Sequence, residues 1–217
     1  AVAHQLRTPM ATLMVASDAL RPEHGELAPG ERDELVDILV RQSAKLRALI
    51  DDVVALVDPS ATIRPVEVLT PIRGTLASLA SQYLPNHPVE TVADDDTVFD
   101  AALALRLLAP LLRNVADHVP VDAPVRLHGG PHPELRGTFA LVVEDGGPGI
   151  AGDVTDLVGA FRQGPEATGE PSPGLGLGLT VVDAMARTLG GSLVLGRSAL
   201  GGLEAAVLLP DRGTDRG

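Results

Sequence analysis

The sequence predicts an α+β chain in which a helical hairpin, half of a dimeric four-helix bundle, is followed by an α/β sandwich. Three observations predict it. Apolar residues recur at alternating spacings of four and three through two early segments, the signature of helices sharing a seam. A Pro/Ser-rich break, "DPSATIRPV" (58–66), then ends the pattern. Beyond it, short β-branched runs are interspersed with helix-like segments, as in a sheet covered by helices.

In the first helix the seam is expected at Leu6, Met10, Leu13, Ser17 and Leu20. Arg21-Pro22 through Pro29-Gly30 is rich in turn residues and breaks it. The second helix carries Leu35, Leu39, Gln42, Leu46, Leu49, Val53 and Leu56 at the same spacing, and Ile38, Ile50, Val54 and Val57 widen its stripe. A stripe wider than one seam suits a four-helix bundle, which two helices complete only as a homodimer. The alternative is a hairpin packed on its own C-terminal domain. Further on, helices are expected over Pro71 to Leu84 and Thr97 to His118, the second apolar almost throughout and therefore buried. Strands are expected at "VRLHG" and "FALVVED", a helix near Val154–Phe161, a Gly/Pro/Glu-rich loop, and a helix from about Leu175. The strands "SLVLGR" and "LEAAVLLP" close the domain, and His128 and His132 are expected to flank a hairpin loop at "GGP". The resulting boundaries are a hairpin at 1–58, a linker at 59–65, a second domain at 66–212 and a charged tail at 213–217.

Composition narrows the function. The net charge of −12 argues against a nucleic-acid surface, which needs a basic face, and disfavours anionic lipid. An anionic ligand must then be held locally, by backbone N–H groups or a metal. There are no cysteines, so disulfides and thiolate–zinc sites are excluded. No signal peptide is visible, and the longest apolar run, "AALALRLLAPLL", contains an arginine and a proline.

The opening "AVAHQLRTPMATL" places a proline inside a helix, at a cost of about 3 kcal/mol. Pro9 removes the N–H that would bond the carbonyl of Gln5, loosening the turn just after His4. His4 lies about 200° around the helix from Leu6, away from the seam, and Thr8 is one turn on along the same face. Neutral imidazole can act as a nucleophile near pH 7. Two glycine loops follow much later. "VVEDGGPGI" (142–150) ends a strand in an acid followed by glycines, and "PGLGLGL" (173–179) alternates glycine with leucine into a helix start, where N–H groups can hold an anion. Between the hairpin and these loops, Asn114 interrupts the apolar helix "LRLLAPLLRNVADHVP". Its amide oxygen could face a phosphate-held Mg²⁺ or be satisfied within the core.

These four elements, in this order, resemble a known family. "AHQLRTPMATL" is similar to the phosphoacceptor segment S-H-E-L-R-T-P-L of sensor histidine kinases. The asparagine helix, the D-x-G-x-G strand end and the G-x-G-x-G helix start resemble the ATP-binding (Bergerat) domain that histidine kinases share with gyrase-type topoisomerases, mismatch-repair ATPases and a heat-shock chaperone. The phosphoacceptor hairpin singles out the kinases.

By resemblance, His4 accepts the γ-phosphoryl of ATP, Gln5 and Arg7 flank it, and Thr8 positions water when the partner is dephosphorylated. Asp145 accepts the adenine amino group, Gly147, Gly149 and Ile150 lie against the base, and Asn114 ligates Mg²⁺. His118 stands beside the nucleotide, and Phe161 and Arg162 precede a lid at "QGPEATGEPSP". Gly174, Leu175, Gly176, Leu177 and Gly178 line the phosphates. The implied activity is ATP-dependent autophosphorylation of His4, then transfer to an aspartate on a response-regulator receiver domain, with ATP and Mg²⁺ as cofactors. A degenerate kinase, a dimeric scaffold binding nucleotide or regulator, is the alternative. Its support is Gln5 in place of an acid, Pro110 in place of a first asparagine, and Asp117 in place of a base. Glutamine can hold an imidazole N–H but cannot take a proton, so Gln5→Glu should speed autophosphorylation; an unchanged initial rate of labelling would count against this. A bundle helix is expected to extend upstream of residue 1, which makes the chain a cytoplasmic fragment of a membrane-anchored sensor.

Overall fold

The computed structural model describes residues 2–21, 23, 27–62, 69–149 and 177–211, excluding the side chains of 2–5, 29, 61 and 62. The chain divides into two compact units, 1–57 and 58–217.

The first unit is a hairpin of α1 (Val2–Ala19) and α2 (Pro29–Val57). The helix continues through Pro9, and the Thr12 hydroxyl donates to the Thr8 carbonyl at 3.2 Å. Pro29 opens α2 rather than belonging to the break before it. Proline is preorganised for a first helical position, and the Ala28 N–H donates to the Glu31 carboxylate at 3.0 Å, as in a capping box.

The α1 seam requires a correction. Met10 and Ser17 are exposed, and Pro9 and Ala16, one residue earlier in each case, are buried; Leu6, Leu13 and Leu20 are half-buried. In α2 all seven seam residues are half-buried, while Val36, Val40, Ile50, Val54 and Val57 are exposed at helical spacing. Each helix thus carries two apolar stripes, and spacing alone cannot say which one faces the other arm of the hairpin.

The second unit begins with a helical turn, α3 (Pro59–Thr62), where the sequence suggested only a linker; it lies against α6 (Leu177–Thr188). Among the described residues, five strands form one mixed sheet in the order β2–β4–β5–β7–β6. They are β2 (Val89–Val92), β4 (Val125–Pro131), β5 (Thr138–Asp145), β7 (Leu203–Pro210) and β6 (Ser192–Arg197). β2 runs parallel to β4 and the other pairings are antiparallel. A small antiparallel pair joins β1 (Leu69–Pro71) to β3 (Val98–Asp100). Neither β1, β2 nor β3 was foreseen; β3 replaces the expected first turn of a helix from Thr97. Asp100 then caps α5 (Ala101–His118), its Oδ1 accepting from the N–H groups of Ala102 and Leu103 at 2.9 and 3.1 Å.

Helix α4 (Ile72–Tyr83), α5 and α6 supply one side of the core. Ile72, Leu76, Leu107, Leu108, Leu112, Val181, Val182 and Met185 are fully buried with Val125, Leu127 and Leu141 of the sheet. Each such side chain contributes about 1.5–3 kcal/mol by burial. Gly129 shows how close the layers come: a Cβ there would lie 2.8 Å from Ile72 Cγ1. That also corrects the hairpin reading, because His128, Gly129 and Gly130 belong to β4 and the loop spans 132–137. Burial holds the half-buried His128 below the usual histidine range. His132 Nδ1 accepts from the Glu134 and Leu135 N–H groups, both at 3.1 Å, and organises the turn. Among the described residues no helix is long and apolar enough to cross a membrane.

Candidate functional site

The site is built around the end of β5. Successive strand residues face opposite sides of a sheet, so Glu144 and Asp145 point apart. Asp145 is 6% exposed and is buried on the helix-covered side. Its Oδ1 accepts from the Gly147 N–H at 2.9 Å and the Leu203 N–H at 3.3 Å, and its carbonyl accepts from the Gly202 N–H at 3.0 Å. Antiparallel pairing of β5 with β7, which puts Glu144 opposite Glu204, brings residues 202–203 to this carboxylate.

Glycines make the approach possible. A Cβ on Gly202 would sit 2.0 Å from Asp145 Oδ1 and 2.7 Å from both the Asp145 carbonyl oxygen and the Gly147 nitrogen. Gly149 has φ +69°, a conformation that side chains resist. Gly202→Ala should therefore lower stability by about 1–3 kcal/mol, because backbone must move, and should weaken ATP binding with it. Denaturant melts and calorimetric titration would read both, and wild-type values would reject the steric argument.

Helix α5 is the common wall. Val119, at its C-terminal cap, meets the Gly147 corner: a Cβ on Gly147 would lie 3.0 Å from Val119 Cγ2. Farther back on α5, Pro110 and Asn114 meet the first turn of α6. A Cβ on Gly178 would lie 3.3 Å from Pro110 and 3.5 Å from Asn114 Nδ2. Asn114 and Val119 stand five positions apart, about 7.5 Å along the helix axis. One helix thus presents an amide beside a helix N-terminus and, one and a half turns on, a wall for the Asp145 corner. Asn114 is half-buried rather than fully buried, and Pro110 is buried at the contact with α6. His118 is exposed at the end of α5.

Among the described residues no group of three or more His, Asp or Glu could hold a metal ion. A hard cation here would rest on the Asn114 amide oxygen and on oxygens of its ligand, a donor set that suits Mg²⁺.

Not all the expected site residues are brought together. Leu177 and Gly178 open α6, and Asp145, Gly147 and Gly149 form the corner described above. Ile150, Phe161, Arg162, Gly174, Leu175 and Gly176 lie outside the described residues, as does the helix expected near 154–161. Arg7 and Thr8 are exposed on α1, and His4 and Gln5 are helical with side chains outside the described set. Sequence reasoning named none of Val119, Ser198, Gly202 and Leu203 as a site residue. The adjacent glycines at 201–202 were the available signal; the backbone N–H of Leu203 left none, since any residue but proline offers it.

Behind the corner, on the opposite side of the sheet, runs a charged row. Arg126 Nε binds Glu90 at 2.8 Å, and its Nη1 reaches Glu144 at 3.4 Å. Glu204 stands next in register. Burial first, then the Glu144 charge, raise the Glu204 carboxyl above its ordinary 4.5. The folded chain therefore holds that proton more tightly than the unfolded one, and stability falls as pH climbs from about 4.5 through the raised value. Glu204→Gln should melt higher than wild type at pH 7 and about equally at pH 4; no gain at pH 7 would refute it.

Comparison with known proteins adds to this geometry. The model of the "His Kinase A (phospho-acceptor) domain" matches residues 1–61. That of the "Histidine kinase-, DNA gyrase B-, and HSP90-like ATPase" family matches 99–213, more than half of the chain. Sensor protein KdpD of Mycobacterium tuberculosis is 28% identical over 222 residues, covering 95% of this chain; the chain spans only 25% of that relative. Among solved structures, the histidine kinase AdeS of Acinetobacter baumannii has a TM-score of 0.68 at 21% identity, covering 98% of this chain and 100% of that one. Full-length ShkA, solved in complex with AMPPNP, has a TM-score of 0.58 at 21% identity, covering 96% and 45%. At these identities the two structures bear on the fold alone.

Proposed function

The chain belongs to the histidine kinase-, DNA gyrase B- and HSP90-like ATPases and, with a phospho-acceptor domain ahead of that fold, to the sensor histidine kinases; we propose that it binds ATP at the Asp145 corner and phosphorylates itself on His4. The observation that carries the proposal is the α5 wall, which meets the start of α6 at Asn114 and, about one and a half turns on, meets the Gly147 corner at Val119.

Asp145, held by two N–H donors, accepts from the adenine amino group, while Gly147 and Gly149 let the backbone lie against the ring. The triphosphate runs along α5 toward the N-terminus of α6, where first-turn N–H groups and the helix dipole favour anions. Asn114 would hold Mg²⁺, which supplies charge neutralisation on the phosphate oxygens when bound. A ring nitrogen of His4 then attacks the γ-phosphorus. The new P–N bond forms as the bond to the β–γ bridging oxygen breaks, and ADP leaves with that oxygen. Positioning and electrostatics carry most of the rate, since this transfer needs little covalent help.

The exposed stripes at Met10 and Met14 and at Val36, Val40, Ile50 and Val54 support burial of the hairpin against a second copy as a four-helix bundle. Phosphohistidine would pass its phosphoryl group to an aspartate of a response-regulator receiver domain, on the cytoplasmic side of a membrane-anchored sensor. Incubation with γ-labelled ATP and Mg²⁺ tests the central claim. Label that is acid-labile and base-stable is expected, and no label, or a base-labile one, would reject it.

A further inference from the structure

Two consecutive residues of β5 are clamped from opposite sides by one turn. On the inner side, the turn after β6 reaches Asp145 through the Gly202 and Leu203 N–H groups. On the outer side, the same turn reaches Glu144 through Ser198, whose hydroxyl donates to Oε1 at 3.4 Å. Ser198 is 5% exposed, and its other polar atoms are spent within the turn. Its Oγ accepts from the Leu200 N–H at 2.9 Å, its N–H donates to the Gly202 carbonyl at 3.0 Å, and its carbonyl accepts from the Gly201 N–H at 3.0 Å. The bonds close a ring: Glu144 to Ser198, Ser198 to Gly202, Gly202 to Asp145, and the peptide bond back to Glu144. Arg126 fixes Glu144 from the other direction at 3.4 Å.

We infer that Ser198 and Glu144 are positioning residues for nucleobase selection: the Ser198 hydroxyl fastens the 198–202 turn to the back of β5 and so sets the Leu203 N–H against the Asp145 carboxylate. This rests on Asp145 being the adenine acceptor. Without the hydroxyl, the turn keeps its backbone bonds, the Gly202 N–H to the Asp145 carbonyl among them, but loses its side-chain tie to the back of the strand. The Leu203 N–H, already 3.3 Å from Oδ1, then drifts and leaves the carboxylate held by the Gly147 N–H alone, with more room to turn. Inosine triphosphate carries an oxygen where adenine has its amino group and cannot make the bond for which the carboxylate is oriented, so the loss falls on ATP.

The test titrates the full chain with ATP and with inosine triphosphate. Ser198→Ala should weaken ATP about tenfold while leaving inosine triphosphate within about twofold, and Ser198→Thr should restore the wild-type ratio. Glu144→Gln, whose amide oxygen still accepts the hydroxyl, should keep the preference, and Glu144→Ala should lose it. If Ser198→Ala keeps the wild-type ratio, whether both affinities fall or neither does, the inference is wrong. Should that variant fail to fold, an unchanged ratio in Glu144→Ala decides against it equally. Asp145→Asn separates the two layers. A collapsed ratio there with an intact one in Ser198→Ala overturns this inference alone, and an intact ratio in Asp145→Asn overturns the reading beneath it as well.

Discussion

Asp145→Asn should cut ATP affinity about 100-fold, equivalent to about 2–3 kcal/mol, while leaving the melting temperature nearly unchanged. The asymmetry follows from the carboxylate's two oxygens. Oδ1 already accepts from the Gly147 and Leu203 N–H groups, so an asparagine will turn its carbonyl oxygen to that position and keep the loop intact. The remaining position becomes an NH₂, a donor set against the amino group of adenine. A charge-assisted bond is replaced by two donors with no acceptor between them. Calorimetric titration with ATP, alongside a thermal melt, separates binding from folding. Wild-type affinity in a folded Asp145→Asn protein would remove the nucleotide site from this corner.

The second large effect is expected at the other end of the chain. His4→Gln should reduce phosphoryl incorporation to background while ATP affinity stays within about twofold of wild type, since the amide has no nucleophilic lone pair comparable to imidazole. Binding is spared because residues 1–57 and 58–217 are separate compact units, and the proposed nucleotide contacts all lie in the second. Residual acid-labile label in this variant would move the acceptor elsewhere, and a parallel loss of ATP binding would make His4 part of the nucleotide site.

Much of the second unit was legible from local pattern. The strands "SLVLGR" and "LEAAVLLP" coincide with β6 and β7, because alternation and turn residues are properties of short segments. The hairpin was legible too, but not its inner seam. Met10 and Pro9 are adjacent, both apolar stripes satisfy the same spacing, and only the partner helix chooses between them. The short strands β1, β2 and β3 carry few residues and little alternation, so pairing with distant segments creates them.

The chemistry divides along the same line. By itself the sequence pointed to the proposed acceptor histidine, the acid of the corner and the glycines, because each is a residue type whose chemistry survives without neighbours. Tertiary structure alone decided that Val119 walls the corner, that Pro110 packs on Gly178 where an asparagine was expected, and that Ser198 bonds Glu144 and Leu203 bonds Asp145 across 54 and 58 residues of chain. Those roles belong to backbone groups and to contacts across the sheet, and a backbone N–H leaves no letter in a sequence.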